Sequence, residues 1–222
     1  MIGPGVKSTD LSQWGQNSTD LHRRPRLSGP FCSWATYTQP VNIEPPQGSQ
    51  VALRLVTAED EARFIELARM SADLHHPWVV IPQTPSLFKS YLARSDQTTA
   101  VCMVVCCKDQ GSLVGMININ GIVRGPYQRG LLGYAAFRPY AGRGYMSAGV
   151  ALAVHYAFDK LDLHRVEADI QPGNTASLRL VRRLGFRKEG VSPGFIKIAG
   201  VWCDHERWAI TRDMELPPVR DQ

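Results

Sequence analysis

Two periodicities divide the chain from residue 51 onward into strands and helices. Period-two alternation and short apolar runs predict strands in VALRLV (51–56), TTAVCMVVCC (98–107), LVGMININGIV (113–123), LLGYAAF (131–137), HRVEADIQ (164–171), FRKEGVS (186–192), FIKIAG (195–200) and WCDHERWAIT (202–211). Apolar residues spaced three and four apart predict helices that begin after Thr57, after Thr84, at Met146 and at Thr175. This order of elements predicts one α/β domain over residues 49–216.

Local signals indicate where these elements begin and end. Thr57 to Asp60 matches a capping box, and Pro85 suits the first turn of the next helix. The segment DQGS (109–112) predicts the turn of a hairpin. Asn174 can cap the last helix, and Gly185 ends it.

Residues 1–48 show no period and are rich in Pro, Gly, Ser, Asn and Gln. This composition predicts a flexible or loosely packed extension, although its aromatic residues (Trp14, Phe31, Trp34, Tyr37) can pack on the domain. The first thirty residues contain no apolar segment typical of a secretory signal. No run approaches the roughly 18 apolar residues that a membrane span needs. We therefore expect a cytoplasmic protein with no membrane partner.

The charge distribution indicates which ligands the chain can attract, and the cysteine spacing indicates whether it can bind zinc. The 222 residues carry a formal net charge of +5, and 44% of them are hydrophobic. Eleven basic and four acidic side chains lie between Arg124 and Lys188, which suits an anionic ligand or a solvated basic helix face. The five cysteines form no CxxC pair, so neither a disulfide framework nor a zinc site is indicated. We expect no metal cofactor.

The segment RPYAGRGYMSAG (138–149) joins a predicted strand to a predicted helix. Exposed amides at a helix N-terminus favour anion binding, and Gly142 and Gly144 would let a phosphate approach the main chain. A plain tight turn fits the two glycines equally well. A Walker loop is excluded because Tyr145 and Met146 stand where it needs Lys and Ser or Thr, and Ser147 breaks a Rossmann fingerprint.

The combination of motifs resembles a known superfamily. AGRGYM (141–146) followed by NTASLRLVRRLGF (174–186) resembles the core of the GNAT N-acetyltransferases. Four further segments resemble the RimJ-type ribosomal-protein-alanine N-acetyltransferases: INGIVRG (119–125), LGYAAF (132–137), LHRVEADIQPGN (163–174) and Trp202-x-Asp204-His205. The resemblance covers about residues 51–214. It implies a mixed, mostly antiparallel sheet of six or seven strands flanked by about four helices.

The resemblance also implies acetyl-CoA as the co-substrate. The pyrophosphate would lie on the loop formed by Tyr140, Ala141, Gly142, Arg143, Gly144, Tyr145 and Met146. The pantetheine arm would follow the strand residues Tyr134, Ala135, Ala136 and Phe137. Asn174 and Ser177 would complete the cofactor site. Asn174 also suits a helix cap, and the two roles are compatible.

Acetyl transfer requires a proton donor for the leaving thiolate and a neutral amine. Related proteins imply Ser177 as the donor, and an ordinary first-turn helix serine is the alternative. Many GNAT enzymes carry a glutamate where Leu131 stands, a tyrosine near Arg182, or an acid in the terminal hairpin, where this chain has SPG (192–194). Glu167 and Asp169 are the fallback bases, unless they are merely solvated strand residues.

The missing carboxylate and tyrosine favour an acceptor that needs little help to lose its proton. An α-amine, with a pKa of about 7.7–8.0, is roughly a tenth or more neutral at neutral pH, whereas a lysine is under about a thousandth neutral. We therefore expect acetylation of the N-terminal alanine of a protein such as a ribosomal protein. A small amine acceptor (amino acid, polyamine or antibiotic) and a non-catalytic acyl-CoA-binding module remain alternatives. The expected state is a monomer or weak homodimer.

Three other groups of residues have types found in catalytic, metal or binding sites, and each also has a structural interpretation. Cys203-Asp204-His205 contains triad residue types, but neighbours on one strand face opposite sides. His75 and His76 would bind a metal only with distant ligands, so they are interpreted as a loop histidine pair. Trp78 and Tyr127 are candidates for an acceptor groove or for buried aromatics.

Overall fold

The structure is a computed structural model that describes residues 50–214 and the backbone of Asn42–Ile43. The rest of the predicted extension, and residues 215–216 of the predicted domain, lie outside the described residues. The described strands are β1 (Asn42–Ile43), β2 (Val51–Leu55), β3 (Val101–Cys107), β4 (Leu113–Val123), β5 (Arg129–Ala136), β6 (Arg165–Ile170), β7 (Arg187–Ile198) and β8 (Val201–Thr211). The described α-helices are α1 (Glu61–Met70), α2 (Ala72–His75), α3 (Pro85–Ala93), α4 (Tyr145–Asp159) and α5 (Thr175–Arg183).

The described strands form one mixed sheet in the order β1-β2-β3-β4-β5-β6-β8-β7. Every neighbouring pair is antiparallel except β5 and β6, which are parallel. Seven strands have five or more residues, and β1 adds a two-residue edge. The predicted mixed, mostly antiparallel α/β fold is confirmed.

One detail of the predicted fold is wrong. FRKEGVS and FIKIAG were expected to be separate strands, but β7 runs without a break over Arg187–Ile198. Its register with β8 shifts between Ser192 and Ile196, so Pro193 and Gly194 form an irregularity inside a strand. An edge strand tolerates proline because one side of its backbone needs no partner.

The capping signals place the helices as predicted, with one adjustment. The Thr57 capping box is present, but it opens a short 3-10 turn (Ala58–Asp60) that leads into α1. Thr84 caps α3, whose first residue is Pro85. None of the described helices has the length and apolar composition that a membrane crossing requires.

Two cores lie on opposite faces of the sheet. Helix α4 lies centrally on one face, where it packs on β2 and β4 beside α5. Helices α1 and α3 cover the other face, where the Phe64 ring packs against Phe88, Tyr91 and Phe137 with ring centroids 5.2–5.5 Å apart. Alternate residues of β3 serve the two cores, since Met103 belongs to the first and Val104 to the second. This division explains why β3 is apolar throughout rather than alternating.

We predict that Phe64→Ala destabilises the domain by about 3–5 kcal/mol, because the buried ring leaves a cavity that its neighbours cannot fill. The free energy of unfolding in urea measures the effect. Phe195→Ala is the matched control: Phe195 is 37% exposed on β7 and should cost less than about 1 kcal/mol. Equal losses in the two variants would contradict the assignment of Phe64 to the core.

Candidate active site

The parallel strands β5 and β6 separate and leave a wedge in the sheet. They pair only from Arg129 to Leu131 on β5 and from Arg165 to Glu167 on β6. Beyond that point, β5 continues to Ala136 without a partner on this side among the described strands. The wedge therefore exposes one edge of a central strand, which is otherwise protected in a sheet.

The peptide groups of Tyr134 and Ala136 face this wedge. The Phe137 N–H donates to Val114 O at 2.8 Å, so Phe137 points its backbone toward β4. Peptide groups alternate in direction along a strand, so those of Ala136 and Tyr134 point the other way. The side of β5 that faces the wedge thus offers N–H and C=O groups to an extended ligand.

A cleft of about 390 Å³ opens from the wedge. Its walls come from β5, the loop before α4, the first turn of α4, one side of α5 along its length, and residues 74, 75, 78 and 79. The lining residues are Leu74, His75, Trp78, Val79, Tyr134, Ala135, Ala136, Tyr140, Ala141, Gly142, Gly144, Met146, Ser147, Asn174, Ala176, Ser177, Arg179, Leu180 and Arg183. The lining has three chemical parts: a strand edge, a glycine loop and an arginine-bearing helix.

The glycine loop suits an anion. Gly142 and Gly144 have φ of +76° and +79°, the left-handed region that side chains other than glycine rarely adopt. No described atom lies within 4 Å of the position that a Cβ would occupy at either residue. Helix α4 begins directly after Gly144, so its positive end meets the cleft, and Arg179 and Arg183 of α5 contribute positive charge to the lining.

Three polar side chains connect α5 to β5 in the cleft. Asn174 Oδ1 accepts a hydrogen bond from Ser177 N at 3.2 Å and so caps α5. The Ser177 Oγ lies 2.5 Å from the Tyr134 hydroxyl, within hydrogen-bond distance. Burial raises the pKa of Tyr134 to about 12, so this hydroxyl is protonated at neutral pH. The pair therefore holds two exchangeable protons beside the unpaired part of β5.

The sequence model of the family described as Acetyltransferase (GNAT) domain matches residues 50–187. This chain belongs to the GNAT acetyltransferase family.

Several relatives of this GNAT chain are N-acetyltransferases, and the share of each chain that the similarity covers differs among them. The probable N-acetyltransferase YjcK of Bacillus subtilis is 42% identical over 98 residues, which are 44% of this chain and only 54% of that protein. The ribosomal protein uS5-alanine N-acetyltransferase of Escherichia coli is 34% identical over 170 residues, 73% of this chain and 88% of that protein. The solved ribosomal-protein-S5-alanine acetyltransferase of Vibrio fischeri has a TM-score of 0.69 at 26% identity, covering 78% of this chain and 97% of that chain. The chain therefore carries an N-acetyltransferase domain of RimJ-like type.

Most residues predicted for the cofactor site of this GNAT domain lie in the cleft. They are Tyr134, Ala135, Ala136, Tyr140, Ala141, Gly142, Gly144, Met146, Asn174 and Ser177. Three others are elsewhere. The Phe137 side chain is buried in the core against Phe64, Arg143 is exposed outside the lining, and the Tyr145 ring packs beside Tyr140 with centroids 6.4 Å apart. The cofactor role of the whole set stays a prediction.

The fallback base Glu167 lies in an ion-pair network and outside the cleft lining. Its carboxylate is 2.9 Å from Arg129, 2.7 Å from Arg165 and 3.7 Å from Arg207. Asp169 contacts Arg207 Nε at 2.5 Å, and burial raises the pKa of Asp169. These arginines already occupy both carboxylates, so the contacts give the two acids a structural role in joining β5, β6 and β8.

A short segment crosses the wedge on the side of α1 and α3; we call it the strap (His75–Trp78). His75 Nε2 lies 2.8 Å from Ala136 O at the edge of β5. Directly after β6, Gln171 Nε2 donates to Trp78 O at 3.3 Å, and the Trp78 ring lies close to Gly173. The strap thus contacts β5 and the segment that follows β6.

Trp78, a predicted candidate for an acceptor groove, lines the cleft. The interpretation of His75 as a loop residue is wrong, because His75 ends α2 and is buried. Its contact with Ala136 could not be predicted, because no local pattern connects residue 75 with residue 136.

We predict that Gly142→Val weakens acetyl-CoA binding at least about tenfold, because a β-branched residue disfavours the left-handed backbone and fills the space beside the loop. Isothermal titration calorimetry measures the dissociation constant. Gly111→Val is the matched control: Gly111 also has positive φ, +64°, but lies in the hairpin turn between β3 and β4, outside the cleft lining. Unchanged affinity in a folded Gly142→Val variant would exclude the loop as the anion site.

Proposed function

We propose that this chain transfers the acetyl group of acetyl-CoA to the N-terminal alanine amine of a protein, such as a ribosomal protein. The observation that carries the proposal is the Escherichia coli relative, which resembles the chain over most of both lengths and acts on ribosomal protein uS5 alanine. The cleft supports it in three respects: how it fits the co-substrate, how it supplies a proton, and which amine it favours.

Acetyl-CoA fits the three parts of the cleft. The glycine loop and the start of α4 offer backbone amides to the pyrophosphate. The peptide group of Tyr134 and the N–H of Ala136 can pair with the amides of the pantetheine arm, as a neighbouring strand would. Ala136 O already lies 2.8 Å from His75 Nε2. Arg179 and Arg183 supply positive charge for the phosphates. GNAT acetyltransferases use acetyl-CoA, and its phosphates and pantetheine amides have counterparts here.

Ser177 is the proposed proton donor. The amine attacks the thioester carbon, the carbon–sulfur bond breaks, and the thiolate needs a proton. Ser177 can supply it and regain one from Tyr134, whose hydroxyl is 2.5 Å away. The buried tyrosine stays protonated below pH 10, because its pKa is raised to about 12. This pair would take the part of the tyrosine that many GNAT enzymes carry near the position of Arg182.

The absence of carboxylates from the cleft favours an α-amine. Among the described lining residues none is Asp, Glu or Lys. A polyamine carries several positive charges and would need acidic partners, whereas the nearby Glu167 and Asp169 are paired with arginines. A lysine would need a strong base, because its pKa lies near 10.4. An N-terminal amine needs the least assistance of the three.

The cellular location follows from this acceptor, and the oligomeric state is a separate expectation. A ribosomal acceptor is met in the cytoplasm, so we infer a cytoplasmic location. The expected monomer or weak homodimer stays a prediction, and sedimentation of the purified chain tests it. No group of three or more His, Cys, Asp or Glu within the described residues could hold a metal ion.

We predict acetyl transfer to a peptide that has a free N-terminal alanine and no lysine. A second peptide with a blocked N-terminus and one lysine should remain unmodified, because its amine is protonated at neutral pH. Release of the CoA thiol and peptide mass measure the reaction. Transfer to the lysine peptide alone would contradict the proposal, and transfer only to members of a small-amine panel would favour a metabolite as acceptor.

We predict that Ser177→Ala lowers kcat about 100-fold with little change in the acetyl-CoA dissociation constant, because general acid catalysis is lost. Tyr134→Phe should lower kcat less, since Ser177 keeps its own proton. Stopped-flow measurement of thiol release at saturating substrate provides kcat. Ser90→Ala on the exposed face of α3 is the control and should retain activity. A Ser177→Ala variant with unchanged kcat would remove this serine from the mechanism.

A further inference from the structure

The acceptor has to reach the thioester from the side of the sheet that acetyl-CoA leaves open. The glycine loop leads into α4, and Arg179 and Arg183 lie on α5, so the proposed phosphate contacts lie on the α4 side of the wedge. The strap crosses the wedge on the opposite side, where it contacts Ala136. An amine that attacks the acetyl carbon therefore passes the strap on its way to β5.

Trp78 is the largest side chain of the strap, and it lines the cleft. Its backbone is already bonded, because the N–H donates to His75 O at 2.7 Å and the carbonyl oxygen accepts from Gln171 Nε2 at 3.3 Å. The indole, which is partly exposed, is therefore the part of Trp78 that a ligand can contact. Leu74 and Val79 line the cleft beside it. The strap thus presents a mainly apolar wall to the acceptor.

The position of the indole is fixed at one edge by Gly173. A Cβ at residue 173 would lie 3.0 Å from Cη2 and 3.4 Å from Cζ3 of Trp78, so the lack of a side chain lets the ring lie directly on the backbone. The strap itself is held at both ends, by His75 on Ala136 O and by Gln171 on Trp78 O. The ring is therefore a fixed wall and not a freely moving side chain.

The room beside this wall is small. The cleft holds about 390 Å³, near the lower end of the roughly 300–1,000 Å³ that is typical of pockets for one small ligand. The end of the pantetheine arm and its acetyl group have to share this volume with the first residue of the acceptor. A packed wall accepts extra atoms only at a cost, so a methyl group fits here better than a long side chain.

We propose that Trp78 is the specificity-determining residue of the acceptor site: its indole contacts the first side chain of the acceptor and limits it to small residues such as alanine. Apolar contact with the ring attracts a methyl group, and overlap with the ring excludes a larger side chain. The inference rests on the proposed function, because it assumes that the acceptor is a protein N-terminus. It goes further, because it names the residue that makes the choice and the property by which it chooses.

The test measures kcat/KM for two lysine-free peptides that differ only in their first residue, alanine or leucine. Both carry a free α-amine of ordinary pKa, so the ratio of the two values reports the fit of the side chain and not the ionisation of the amine. The ratio also cancels any general loss of activity in a variant. Trp202→Ala is the matched control, because Trp202 is 63% exposed on β8 and lies outside the cleft lining.

We expect the parent chain to prefer the alanine peptide at least about tenfold, which is the scale on which apolar pockets separate substrates. Trp78→Ala should reduce this preference at least about fivefold while acetyl-CoA affinity stays within about twofold of the parent chain. Trp78→Phe should give an intermediate preference, since a smaller ring remains. Trp202→Ala should retain the parental preference.

A second comparison tests the contact between Gly173 and the indole. Gly173→Ala should displace the ring and change the ratio by more than about twofold, because the new Cβ lies too close to it. In a Trp78→Ala background the same substitution should leave the ratio unchanged, since the displaced group is gone. A change of ratio in the double variant would show that residue 173 acts through another neighbour, and would contradict a fixed indole.

Three results would overturn the role of Trp78 alone. One is a parental preference in both Trp78 variants, and another is a parent chain that acetylates the two peptides equally, since no size limit then exists. The third is an equal loss of preference in Trp202→Ala, which would indicate a general effect on the domain. A parent chain that binds acetyl-CoA but acetylates neither peptide would instead overturn the proposed function, and the selection by Trp78 with it.

Discussion

The separation of β5 from β6 is the constraint on which the site depends. Three residues of each strand pair, and then the strands part, so that a central strand has an unpaired edge inside the domain. Unsatisfied backbone groups are costly when buried, and a fold retains them only where a ligand or another segment can satisfy them. The wedge supplies the backbone groups for a ligand, and the elements at its rim supply charge and protons. Each remaining part of the site is placed relative to this opening.

The elements around the wedge, which are α4, α5 and the strap, also have structural roles in the fold. Helix α4 packs at the centre of one core, so the glycine loop that precedes it is anchored where β5 ends. Asn174 caps the start of α5 by accepting a hydrogen bond from Ser177 N. The same first turn places Ser177 Oγ within hydrogen-bond distance of the Tyr134 hydroxyl. On the other face, the strap joins Ala136 to Gln171 across the gap. The arginine network of Glu167 fixes the region where the strands still pair.

Features with a local cause were predictable from the sequence. The capping residues Thr84 and Asn174, the hairpin at residues 109–112 and the glycine loop each depend on neighbours a few residues away. Features that join distant segments were not. His75 meets Ala136 across 61 residues and Tyr134 meets Ser177 across 43, and no periodicity reports such contacts. Likewise SPG (192–194) is typical of a turn, and only the pairing of β7 with β8 shows that the strand continues through it.

The irregular edge strand β7 has a consequence for how the chain behaves in a crowded solution. β7 is the last strand of the described sheet, and an exposed edge can recruit a strand from another molecule. Pro193 cannot donate a hydrogen bond, and the Gly194 N–H is already engaged by Asp204 Oδ1 at 2.7 Å. The register shift there also bends the edge. The same irregularity that hides a strand from sequence analysis therefore protects the sheet against edge-to-edge aggregation.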